Sequence, residues 1–113
     1  MSSSDSCEGE HSDTLKPSAY SEDNFRDAAG IFRALADVSR LRILEALACH
    51  PCCVSELAEA SKDEISTVSQ RLRVLRSERL VRRERSGKHM IYSLADHHVM
   101  SLVMNALEHV TEE

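Results

Sequence analysis

The sequence predicts a mainly α-helical domain with a small β-hairpin wing, a winged helix-turn-helix. Three observations carry this: a short helical segment, a turn and a longer helical segment in succession; a glycine-containing hairpin directly after them; and apolar residues at helical spacing near both ends. A chain of 113 residues suits one domain and leaves no room for a separate catalytic one. Apolar residues make up 42% and aromatic ones only 4%, so the core is drawn from Leu, Val, Ile, Ala and Met, which favours helices.

Residues 1–17, rich in Ser, Asp and Glu and ending at Lys16-Pro17, lack a core-forming pattern and read as a mobile N-terminal arm, with residues 18–113 as the domain. Ser21 is a plausible N-cap for a helix carrying Phe25, Ala28, Ala29, Phe32, Leu35 and Ala36 at helical spacing. Asp37-Val38-Ser39 interrupts that pattern. A second helix with Leu41, Ile43, Leu44, Leu47 and Ala48 stops before Pro51. Val54, Leu57 and Ala58 mark a short helix, and Ser61-Lys62-Asp63 a turn. A longer helix from Glu64 or Ile65 has Ile65, Val68, Leu72, Leu75 and Leu80 as its inward residues. Leu80–Arg85 and Lys88–Leu94 read as two strands joined at Ser86-Gly87, the wing. From Asp96 to about Thr111, the residues Val99, Leu102, Val103, Ala106, Leu107 and Val110 form a stripe suited to packing on the domain or on a second copy. The expectation is a homodimer through the terminal helices, as helix-turn-helix modules commonly read two half-sites.

The net charge of −5 speaks at first against nucleic acid, but its distribution does not. Residues 71–88 hold eight basic residues against Glu78 and Glu84, a local charge of +6, so the remainder carries −11. Such a segment is either an electrostatic footprint for phosphates or a solvated, ion-paired face. In the longer helix, Ser66, Thr67, Ser69, Gln70, Arg71 and Arg73 point away from the apolar stripe, with Arg85 and Lys88 on the hairpin. Hydroxyl, amide and guanidinium groups are what base edges and phosphates require, although Ser66 also suits a helix cap.

No run of about 18 apolar residues is present and the start lacks signal-peptide features, so a cytoplasmic protein without membrane attachment is expected. Four cysteines, two of them adjacent, make a poor disulfide framework and point to a metal or redox role. Cys49 fits a buried, unreactive thiol.

Two groups of side chains suit metal ions. Asp96, His98, His109 and Glu112 are all zinc-type ligands. His109 and Glu112 share one face of a helix, but His98 lies about 16 Å from His109 along a continuous helix. Two antiparallel copies would bring the start of one helix to the end of the other and complete two equivalent sites. The alternative is a helix cap at Asp96 with exposed histidines and an acidic tail. The second group is Cys7 and His11 in the arm with Cys52, Cys53 and Glu56 at the start of the short helix, a thiolate-rich set suited to Cd(II), Pb(II), Cu(I) or Zn(II).

From Phe25 to Glu112 the chain resembles the ArsR/SmtB family of metal-sensing repressors. Residues 34–44, ALADVSRLRIL, look like its core signature; residues 53–58, CVSELA, like the segment with its thiolate ligand; residues 68–72, VSQRL, like its recognition helix; and residues 87–94, GKHMIYSL, like its wing. Gln70 stands where many members have His, and Ser55 where strong soft-metal sites have a second Cys. The resemblance implies that Asp96, His98, His109 and Glu112 match the zinc-sensing branch, and that Cys7, His11, Cys53 and Glu56 match its amino-terminal site. It further implies a metal-free dimer that holds an inverted-repeat operator in double-stranded DNA and releases it on binding Zn(II) or a softer ion, derepressing metal efflux or sequestration genes. A hydrogen bond from the second ring nitrogen of His109 would pass the change on. The rivals are a redox-sensing repressor of the same fold using Cys49, Cys52 or Cys53, and a zinc enzyme; two His and two carboxylates fill a tetrahedron and leave no open catalytic position.

Overall fold

Short polar side chains cap the first two helices and the last. The computed structural model describes residues 15–112, in the order α1 (Glu22–Leu35), α2 (Val38–Cys49), β1 (Cys52–Cys53), α3 (Val54–Ser61), α4 (Ile65–Ser77), β2 (Val81–Ser86), β3 (His89–Leu94) and α5 (His97–Thr111). Ser21 caps α1 in a reciprocal box: its Oγ accepts from the Asn24 N–H at 3.0 Å, and Asn24 Oδ1 accepts from the Ser21 N–H at 3.0 Å. Asp37, an interruption in the sequence pattern, is the N-cap of α2, with Oδ2 accepting from the Arg40 N–H at 2.9 Å. The Arg40 guanidinium reaches back to the carbonyls of Ala34 (2.7 Å) and Arg33 (3.2 Å) at the end of α1, the second of which also accepts the Ala36 N–H.

Pro51 holds His50 in an extended conformation and ends α2. The chain then runs alongside β3, so Cys52 and Cys53 form a strand rather than opening the short helix, as sequence spacing places them. Cys52 pairs with Tyr92 and Cys53 with Ile91, giving a three-stranded antiparallel sheet of order β1-β3-β2. β2 and β3 pair from Val81↔Leu94 to Ser86↔His89. Gly87, with φ +63°, opens the two-residue connection between them.

The core is aliphatic, with Leu44, Val68, Leu72, Leu75, Leu80 and Val103 fully buried. Leu80 reaches it from beyond α4. Its N–H donates to Leu75 O at 2.9 Å, and its carbonyl accepts from the Ala95 N–H at 3.0 Å. Two non-glycine residues of positive φ bracket α4: Lys62 (60°), the C-cap of α3, and Arg79 (61°) just after α4. Ile65, expected inside, is 56% exposed at the first position of α4, and burial on that face begins at Val68.

The terminal helices divide their apolar residues. α1 meets the core through Gly30 and Ala34, with Ile31 and Leu35 partly buried, while Phe25 and Phe32 of the predicted stripe are 54% and 60% exposed. α5 buries Val99 and Val103 and leaves Met100, Leu102 and Val110 exposed. Gly30 lets the Glu78 carboxylate lie against α1, for a β-carbon there would stand 2.7 Å from Glu78 Oε1.

Candidate DNA interface and metal-binding residues

The turn before α4 sets the angle of that helix. Lys62 closes α3 by donating its N–H to the Ala58 and Glu59 carbonyls, and the Asp63 N–H reaches Ala58 O at 3.1 Å. Arg71 Nη1 then donates to Asp63 Oδ2 at 2.8 Å, a half-buried ion pair that ties the middle of α4 to the turn. The hydrogen bond from Arg71, helped by one from Ser61, holds the Asp63 carboxyl below its ordinary value of 3.8. Arg71 thus directs its charge inside the protein, unlike the other basic residues of this segment. Glu64 is the N-cap of α4 without a side-chain hydrogen bond, so Ser66 is no cap and its hydroxyl is exposed.

Gln70 and Arg73 are exposed beside Ser66 on the outer face of α4, and Thr67 and Ser69 are half-buried. Only Val81 of β2 is buried, so Arg82, Arg83 and Arg85 project into solvent with Lys88 at the turn. Arg83 Nη1 lies 3.5 Å from Tyr92 Oη on the neighbouring strand. The +6 segment is therefore displayed along one helix and its adjoining hairpin, with Arg71 as its one internally paired cation.

Because the Asp63 pKa is lowered on folding, the pair stabilises the protein above about pH 4, and that stability is lost as pH falls through the folded value. Asp63→Asn is expected to lower the thermal midpoint at pH 7 and to flatten its decline below about pH 4. An unchanged acid limb in pH-dependent melting would show that other carboxylates govern it.

At the other end of the domain, Asp96 is the N-cap of α5, its Oδ1 accepting from the Val99 N–H at 3.1 Å. That bond is the main reason its carboxyl sits below the ordinary value, and His98 adds to it. His98 Nδ1 stands 3.7 Å from Asp96 Oδ1, and its ring is 97% exposed. His109 and Glu112 lie exposed in the last turn and at the C-cap of α5. Asp96 is thus both a cap and half of an open, paired donor set. Among the described residues of one chain, no three His, Cys, Asp or Glu side chains gather as a metal site.

The cysteines reverse their expected burial. Cys49, expected inside, is exposed, and Cys52 is buried with its thiol directed at the His50 carbonyl (3.4 Å) and 3.7 Å from His50 Nδ1. Burial, reinforced by the Glu56 charge, pushes the Cys52 thiol up, which disfavours thiolate chemistry there. Cys53 is the more accessible of the adjacent pair, with Sγ 3.3 Å from Ser55 Oγ. Glu56 Oε1 accepts from the Cys53 N–H at 2.9 Å, which holds that carboxyl below its ordinary value. Cys7 and His11 lie outside the described residues.

The sheet, the helix pair α3–α4 and the exposed basic hairpin define a winged helix-turn-helix DNA-binding protein. Residues 37–83 match the family described as bacterial regulatory protein, arsR family. The chain is 47% identical over 98 residues to a transcriptional repressor SmtB homolog of Synechocystis, covering 87% of this chain and 74% of that one. It is 34% identical over 90 residues to the cadmium resistance transcriptional regulatory protein CadC homolog of Staphylococcus aureus, covering 79% and 74%. The homodimeric winged helix-turn-helix DNA-binding domain of a Mycobacterium bovis protein superposes with a TM-score of 0.78 at 28% identity, over 88% of this chain and 92% of that one. The chain belongs to the arsR family of bacterial regulatory proteins, which are transcriptional regulators and not enzymes. No helix among the described residues is long and apolar enough to cross a membrane.

Proposed function

We propose that this protein is a homodimeric repressor that binds an inverted-repeat operator and releases it on binding Zn(II) or a softer ion. The observation that carries the DNA half is the exposed basic surface running from the outer face of α4 to the hairpin. Ser66, Thr67, Ser69 and Gln70 contact base edges, while Arg73, Arg85 and Lys88 contact phosphates. The apolar residues left outside on α1 and α5, Phe25, Phe32, Leu102 and Val110 among them, form the contact between copies. The Mycobacterium bovis domain, named as a homodimer, supports that arrangement.

The metal half rests on donor chemistry. Asp96 and His98, already paired at the start of α5, join His109 and Glu112 at the far end of the other copy's α5 to make a closed set of two imidazoles and two carboxylates, which suits Zn(II). Occupancy of that set fixes the two helices relative to each other and so biases the spacing of the two α4 helices. Cys53 and Glu56, with Cys7 and His11, offer a second set for Cd(II), Pb(II) or Cu(I), and the likeness to a cadmium resistance regulator supports this.

A duplex enriched from random-sequence DNA by the metal-free protein tests the reading, with affinity measured at several salt concentrations with and without each metal. Arg85→Ala with Lys88→Ala is expected to weaken binding to all sequences alike and to reduce the slope of log K against log salt by about 0.9 for each phosphate no longer neutralised. Unchanged slope would remove the wing from the interface. Release by an oxidant alone, with no effect of any metal, would favour thiol sensing by the exposed Cys49 or by Cys53 instead.

A further inference from the structure

Ile65 is the first residue of α4, where 3.6-residue spacing aligns it with the buried Val68, Leu72 and Leu75, yet it is 56% exposed. Its neighbours are polar: Ser66 next to it is exposed, and Ser69, half-buried one turn on, shares its side of the helix. A large aliphatic side chain thus stands beside hydroxyl-bearing residues at the leading end of the helix that faces DNA in the reading above. That end is the part of a recognition helix that meets base edges. The thymine methyl is the apolar group that a base pair presents in the major groove. Ile65 is β-branched and stiff about χ1, so little side-chain freedom is lost when it docks. Val38 is also exposed, at 63%, at the start of α2, but it lies outside the α4–hairpin surface.

We propose that Ile65 is a specificity-determining residue that packs on a thymine methyl group in each half-site. The inference rests on the DNA-binding reading and adds an apolar contact to its hydrogen bonds. Burying one methyl group against Ile65 is worth about fourfold in affinity per half-site, or about fifteenfold for a dimer on two half-sites.

The test uses the full-length protein and the duplex enriched from random-sequence DNA. Each thymine is replaced in turn by deoxyuridine, symmetrically in both half-sites, which removes the methyl and keeps every hydrogen-bonding group. The expected result is one thymine position at which the unaltered protein loses about fifteenfold and Ile65→Ala loses nothing further. Ile65→Ser, which leaves no methyl on the side chain and puts a hydroxyl in its place, is expected to show the same insensitivity. Both variants keep the melting temperature of the parent, since the side chain lies outside the core. Equal uracil sensitivity in parent and variants, or no sensitivity at any thymine in the parent, would overturn the role of Ile65 and leave DNA binding standing. Failure of the parent to enrich any sequence would overturn the DNA reading itself, and this inference with it.

Discussion

The chain carrying Asp96→Asn, His98→Ala and His109→Ala is expected to hold its operator as tightly as the parent and to keep holding it when Zn(II) is added. All three residues lie at α5, Asp96 as its N-cap, and none belongs to the α4–hairpin surface proposed to meet DNA. Asparagine is chosen at position 96 because Asp96 Oδ1 accepts the Val99 N–H, and an amide oxygen preserves that cap while removing the anionic ligand. Coupling between separate sites typically changes affinity about 5- to 150-fold. The ratio of operator affinities without and with Zn(II) is expected to collapse from that range to about 1. Full release of the triple variant by Zn(II), read by fluorescence anisotropy at fixed salt, would place the switch at Cys53 and Glu56.

The largest expected loss of stability comes from Leu75→Ala. Leu75 is fully buried, and its carbonyl accepts the Leu80 N–H that brings the chain from α4 into the wing. Truncating a buried leucine costs about 2–5 kcal/mol through lost transfer energy and the cavity left behind. Against a total of roughly 5–15 kcal/mol for a domain, that is a large fraction. Urea denaturation, with the midpoint lowered and the slope unchanged, checks it. A loss below about 1 kcal/mol would mean that the surrounding helices close over the space.

The helices were legible because their signals are local. Ser21 and the 3.6-residue pattern mark α1, Pro51 bounds α2, and the Ser61-Lys62-Asp63 turn separates α3 from α4. The hairpin was legible from Gly87 and its flanking strand-forming residues. β1 was not, since a two-residue strand has no periodicity and exists only by pairing with β3, some 40 residues later in the chain. The burial of Cys52 and exposure of Cys49 went unseen with it. Helical spacing also misled at both ends of α4. It placed Ile65 inside, although burial on that face begins at Val68, and counted Leu80 as a helical residue when a turn carries it inward. On α1, spacing found the apolar stripe but not which side met the core: Gly30 and Ala34, small enough for close approach, do so while Phe25 and Phe32 face out. The four C-terminal donors were legible as a set, and the structure adds that Asp96 also caps α5 and already neighbours His98.

Lys62 and Arg79 turn the chain through left-handed corners on either side of α4 although each carries a β-carbon. Glycine would accept those torsions without strain, but it would enlarge the set of conformations open to the unfolded chain at each corner. Side-chain-bearing residues there act as stiff elbows. The aim of the intervening helix is held at both ends by these two torsions and in its middle by the Arg71–Asp63 pair.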